Sequence, residues 1–179
     1  MKPTFPAIAM VAAISGLAQA NDGWGSAIID LSGYEFRDEL GSPNNEILEI
    51  SILPEARISC IVWDLTLTTY TAPGSDFPSW GSEANIDFNG EINLQVSDTP
   101  SGVVNENNAG SVNVDFTLGS DGILSLEFWD SFVDIPGAAD AVLQEGSFIT
   151  IYGFWAPSPG PLAAMGLGGL FAAKRRRLR

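Results

Sequence analysis

Apolar residues recur at every second position along most of residues 21–156, and no stretch there carries the spacing of an amphipathic helix. Alternation of this kind sends one row of side chains into a core and the next into water, the pattern of half-buried antiparallel strands. Ala27 to Leu31 reads as a first short strand, and Gly33 to Asn45 as a loop with some edge structure. Glu46 to Leu53 is a second strand, stopped by Pro54. Arg57 to Tyr70 is the longest, with Ile61, Trp63, Leu65 and Leu67 on one face and Val62, Asp64, Thr66 and Thr68 on the other. Thr71 to Gly81 is a surface loop. From Ile86 to Val96 the alternation continues, with Gly90 expected to bulge or bend one strand. Ser97 to Gly110 is a polar loop, and Val112 to Leu118 a strand. Gly119-Ser120-Asp121-Gly122 is expected to turn that strand back as a hairpin into Ile123 to Trp129. Asp130 to Glu145 is irregular, with at most one helical turn at Ala138 to Leu143, and Gly146 to Trp155 is the last strand. The expectation is all-β: a two-sheet antiparallel β-sandwich, jelly-roll-like or immunoglobulin-like, with its three long loops at the ends.

The two ends of the chain follow other rules. Pro157-Ser158-Pro159-Gly160 leads into a short apolar segment, 161–173, and then into Lys174, Arg175, Arg176, Arg177, Leu178 and Arg179. Five of the eight Lys and Arg residues lie in those last six positions. Basic residues behind an apolar run are held on the cytoplasmic side of a membrane. Thirteen residues of helix reach about 20 Å against roughly 30 Å of hydrocarbon, a span suited to temporary retention. In this order of parts, residues 157–179 resemble the PEP-CTERM sorting domain: a Pro-Glu-Pro-like motif, a short transmembrane helix and an Arg cluster. Ser158 stands where the family name expects Glu. The resemblance implies export, cutting near Pro157–Gly160 by an exosortase-like enzyme, and residence among extracellular polysaccharide.

At the N-terminus, Met1-Lys2, an apolar run from Pro6 to Leu17 and Ala18-Gln19-Ala20 form a secretory signal peptide, 1–20. Cleavage is expected between Ala20 and Asn21, using Ala18 and Ala20 as the small residues. The Sec translocon and signal peptidase are the expected partners. The inner membrane is met only transiently, and the final location is the cell surface or medium. Residues 21–156 are then one acidic domain, long enough to bury about two-thirds of its unfolded surface.

Charge and missing residue types narrow its chemistry. All 22 acidic residues lie in 21–156 against only Arg37 and Arg57, so its formal charge is −20. That disfavours nucleic acid and anionic lipid, both of which need basic contacts. With no histidine in the chain, Ser-His-Asp and Cys-His catalysis and His-ligated zinc are excluded. Cys60 is the only cysteine, so no internal disulfide forms. Its place in an apolar strand reads as a small buried hydrophobe.

What remains is carboxylates and aromatics. Asp130, Asp134 and Asp140 cluster after Trp129 as a candidate calcium site, since calcium takes oxygen ligands from acidic loops; solvated loop charges are the plain alternative. Trp80, within Phe77-Pro78-Ser79-Trp80-Gly81, is the aromatic least accounted for by alternation, and Trp24 is next. Both are candidate glycan contacts. Trp63 reads as core, while Trp129 and Trp155 sit at strand ends where either role fits. The reading is a non-catalytic surface or matrix protein. The competing readings are a carbohydrate-binding module, needing an exposed aromatic platform, and a carboxylate glycosidase, needing two acids across a cleft.

Overall fold

The structure, a computed structural model, describes residues 18–19, 23–76, 78–99 and 105–155. The leader before Ala18, the cleavage positions Ala20 and Asn21, and the sorting tail 157–179 lie outside the described residues. The described chain is all-β, apart from one 3-10 turn at Gly81–Glu83. Its strands are β1 (Ala18–Gln19), β2 (Trp24–Asp30), β3 (Glu35–Phe36), β4 (Glu46–Ser51), β5 (Arg57–Thr69), β6 (Ala84–Phe88), β7 (Ile92–Gln95), β8 (Glu106–Thr117), β9 (Ile123–Asp130), β10 (Ala141–Leu143) and β11 (Phe148–Phe154). Among the described residues no helix is long and apolar enough to cross a membrane.

Two antiparallel sheets face each other across one core, as in a β-sandwich. The larger runs β1, β2, β11, β5, with β8 on the far side of β5. β10 continues β11 along β5, and β3 continues β2 along β10, so each pair forms one interrupted line. The smaller sheet runs β4, β9, β6, β7. The apolar rows meet between the sheets: Ile29, Ile61, Leu65, Ile149 and Ile151 from one, Leu48, Ile50, Ile86, Leu126 and Phe128 from the other.

Several sequence expectations are corrected here. Ile86 to Val96 is not one bent strand but the hairpin β6–β7, with Phe88 facing Ile92. Asn89 and Gly90 both take positive φ, 55° and 73°, the conformation that makes Asn-Gly a tight reversal rather than a bulge. Gly119 to Gly122 does turn the chain, but not into a hairpin. β8 pairs with β5 in one sheet, and β9 with β4 and β6 in the other. The turn is a corner between layers. β8 begins at Glu106, inside the stretch expected to be loop, because the long β5 offers a pairing edge as far as Leu67. Residues 141–143 form a strand in a stretch expected to be irregular with at most one helical turn, since β5 and β3 flank them and take their backbone bonds.

Cys60 is half-exposed rather than buried. Against β11, Ser59 is an extra residue between Ile58 and Cys60, and Cys60 shares the outward row with its partner Tyr152; against β8 the shift at the same place is the other way, with Val114 and Asp115 opposite Ser59. On the other edge of β5 the shift falls between Tyr152 and Gly153, where a Cβ would stand 2.3 Å from the Arg57 carbonyl oxygen. Only glycine fits there.

Candidate functional site

The direction of β5 separates the loops into two ends. At its start, short turns are tied together: Ile52 N–H donates to Gly122 O (2.9 Å), Leu118 N–H to Ala56 O (2.9 Å) and Asn89 N–H to Ser125 O (3.0 Å). The described parts of the long loops, 37–45, 70–76, 78–83, 97–99 and 131–140, all gather at the other end. Tyr70 N–H donates to Asp140 O (2.8 Å), Asp130 N–H to Asp38 O (2.9 Å), Ser131 N–H to Glu83 O (2.9 Å) and Ser82 N–H to Thr99 O (3.2 Å). The three loops expected at the ends thus share one end with a fourth.

Carboxylates collect beneath these loops. Asp130 closes β9 on its core-facing side, in line with Leu124, Leu126 and Phe128, and like Asp140 it is fully buried. Asp140 Oδ1 and Oδ2 accept from the backbone N–H of Ile135 (2.8 Å) and Asp134 (3.0 Å), which folds 134–140 around the side chain. Asp130 Oδ1 accepts from Phe132 N–H (2.9 Å), and its Oδ2 has no hydrogen-bond partner. Glu83, from the 3-10 turn, accepts from Trp80 N–H (3.1 Å).

Crowding of like charge in a dry place raises all three acids. Burial, and then the charges of Asp140, Glu83 and Asp134, push Asp130 up to about 7 against the pull of the Phe132 N–H. Burial raises Asp140 too, helped by Asp134 and Asp38 and opposed by its two backbone donors. Glu83 is raised by burial first and then by Asp134 and Asp140.

The expected trio Asp130, Asp134 and Asp140 is therefore brought together, and Glu83 and Asp38 join from loops far away in sequence. Asp140 has both oxygens committed to backbone donors. Among the described residues, no group of three or more His, Cys, Asp or Glu side chains is arranged to hold a metal ion. Nothing in the sequence around Glu83 marked it for this cluster; its one signal is its place on the turn that feeds β6.

The same loops carry exposed rings. Trp80 is 49% exposed, and Tyr70 and Phe132 project from the loops hydrogen-bonded beside it, Phe132 at 61%. Trp24, at 50%, is elsewhere: it pairs through Phe154 with Arg57, at the opposite end of β5. Twelve positions of strand, roughly 40 Å, separate the two ends, so the candidate glycan contacts are not one site. Trp63 packs partly buried against the core as expected, Trp155 is buried, and Trp129 donates its indole N–H to Asn93 Oδ1 (3.2 Å). No family model, curated protein or solved structure matches the chain.

Proposed function

We propose that the chain is an exported, non-catalytic protein of the cell surface or extracellular matrix that holds polysaccharide at the loop-bearing end of a jelly roll. The jelly-roll reading rests on connectivity. Taking the interrupted lines as single strands and setting aside β1, which lies in the expected leader, each sheet has four in the order first-eighth-third-sixth and second-seventh-fourth-fifth, as two interleaved Greek keys require. Export rests on the signal peptide 1–20, and sorting on the PEP-CTERM-like tail 157–179, with an exosortase-like enzyme as its partner. The passage through the inner membrane is transient in this reading.

One observation carries the binding function: Trp80 is half-exposed on a loop locked to its neighbours, and Tyr70 and Phe132 are exposed on segments whose backbone is hydrogen-bonded to that loop. Aromatic faces held rigidly take the apolar faces of sugar rings at little entropic cost. A glycosidase would need acids facing substrate across a cleft. Asp130 and Asp140 have no exposed surface, so their role in this reading is to tie the loops down.

Trp80→Ala, made in the producing cells, should weaken retention on the cells' own extracted polysaccharide about thirtyfold, the loss of a central aromatic contact worth roughly 2 kcal/mol. Unchanged retention would remove Trp80 from the site. Intact mass spectrometry of the protein from cells and medium tests the sorting half. The expected mass begins at Asn21 and ends near Pro157–Gly160; a species retaining Arg179 would make the tail a permanent anchor.

A further inference from the structure

Outward positions on the strands of a sandwich are ordinarily polar. On β2 and β11 five of the eight outward positions are large and apolar or aromatic. The register sets Trp24 opposite Phe154, Ser26 opposite Tyr152, Ile28 opposite Thr150 and Asp30 opposite Phe148. Trp24, Ile28, Phe148, Tyr152 and Phe154 are all exposed, and the Trp24 ring meets Phe154 edge-on at 6.2 Å. Their neighbours Ala27, Ile29, Ile149 and Ile151 fill the core on the inner side, so this second apolar row lies outside the core of the single chain. Contiguous exposed apolar surface of this kind marks a place of contact.

The same rows continue across the sheet in neutral groups. Tyr152 faces Cys60 and then Asn113; Thr150 faces Val62 and then Ser111. Charge is confined to the two ends of the face. At one, Arg57 and Asp115 are paired, Nε to Oδ1 at 2.6 Å. At the other, Asp30 accepts from Ser32 N–H and Asp64 from the Asn107 amide. Between them, in a domain of formal charge −20, the described side chains carry no charge.

That charge pattern selects the occupant. A second copy would bring two domains of −20 together, which self-repulsion opposes. Anionic lipid and nucleic acid are repelled by the same field. A neutral, hydroxylated, ring-built polymer suffers neither penalty. Its apolar ring faces match Trp24, Tyr152 and Phe154, and its hydroxyls match the Ser and Asn groups beside them. From Trp24 to Asp30 the face is roughly 20 Å long, room for several rings in line. We propose that the outer face of the larger sheet is a platform for an extended neutral polysaccharide. It is a separate site from the Trp80 loops and stands or falls independently of them.

The test is affinity electrophoresis of protein from the producing cells in gels holding soluble β-glucan, galactomannan, xylan or dextran. Wild type, Trp80→Ala, the double substitution Trp24→Ala/Tyr152→Ala and the milder Tyr152→Ser are compared, each checked for an unchanged thermal melt. The expected result is retardation of wild type and Trp80→Ala by at least one polymer, at least tenfold weaker for the double variant and weaker for Tyr152→Ser. Retardation lost only in Trp80→Ala would assign all binding to the loops and overturn the platform. No retardation by any polymer would overturn it too. So would a wild-type dimer in sedimentation that the double variant abolishes, or flotation with phosphatidylcholine vesicles that it abolishes; these name a second copy or lipid as the occupant.

Discussion

Asp130→Asn is expected to stabilise the protein at pH 8 and to flatten its dependence on pH. Asp130 is fully buried at the core-facing end of β9, with Oδ2 unpartnered, and burial with neighbouring acids lifts it from 3.8 to about 7. A carboxyl raised on folding binds its proton more tightly in the native state. Its favourable contribution is therefore complete below 3.8, declines as pH rises between 3.8 and about 7, and is gone above that. A rise of roughly three units corresponds to about 4 kcal/mol lost across that window. Asp140 and Glu83 are raised too and add in the same direction. Asp30 and Asp115 are lowered, so their contributions fade only as pH falls below 3.8, outside the window. Asparagine keeps the shape and the acceptor for Phe132 N–H without the charge. Allowing half the ionisation cost for the less ideal amide, the gain at pH 8 is about 2 kcal/mol, or roughly 6 °C in Tm for a domain of this size. Melts of both proteins at pH 5 and pH 8 check it, and equal wild-type Tm values at the two pH values would sink it. With both Asp140 oxygens committed to backbone donors, millimolar calcium should leave the wild-type melt at pH 8 where EDTA leaves it.

Phe128→Ala carries the largest expected loss of stability. Phe128 comes from the smaller sheet and is wholly buried; its ring stacks on Tyr34 with centroids 4.4 Å apart and meets Phe36 edge-on at 5.9 Å. Tyr34 and Phe36 belong to the β2–β3 line of the larger sheet, so this trio bolts the two layers together just beneath the acid cluster. Removing the ring forfeits its transfer energy, opens a cavity the rigid sheets cannot close, and breaks both ring contacts, for about 3–5 kcal/mol. Against a typical total of roughly 5–15 kcal/mol, that is a large share. Urea unfolding should show a lower midpoint at unchanged slope. Phe132→Ala, four residues on and mostly exposed, should stay within about 0.5 kcal/mol. A loss below 1 kcal/mol for Phe128→Ala would mean the sheets are not held together there.

Much of the site was visible residue by residue, though not as a site. Asp130, Asp134 and Asp140 stood out because they are close in sequence, and a loop of ten residues can hardly keep them apart. Glu83 and Asp38 join them only because β6 lies beside β9, and because the Asp38 carbonyl takes the Asp130 N–H. Trp80 was legible as a ring that strand alternation left over. The platform was not: Trp24 alone signals little, and its partners Tyr152 and Phe154 lie about 130 positions further along. The Asn89-Gly90 turn was in plain view and signals a reversal through its two positive φ angles, whereas the partner of the strand after Gly119 to Gly122 cannot be read from the turn at all.

Alternation is local, because each side chain's face follows from its neighbours two positions away. The all-β class, the approximate strands, the inward row of β5 and the charge of −20 follow from the sequence by itself, and so does the exclusion of histidine chemistry. Pairing is not local. A strand bonds whatever edge the rest of the chain presents, and a one-residue slip, such as Ser59, extra against β11, reverses every face beyond it. The tertiary structure alone decided that β8 crosses to the larger sheet, that Cys60 looks outward, that four loops meet at one end, and that two strands remote in sequence set five apolar side chains on one open face.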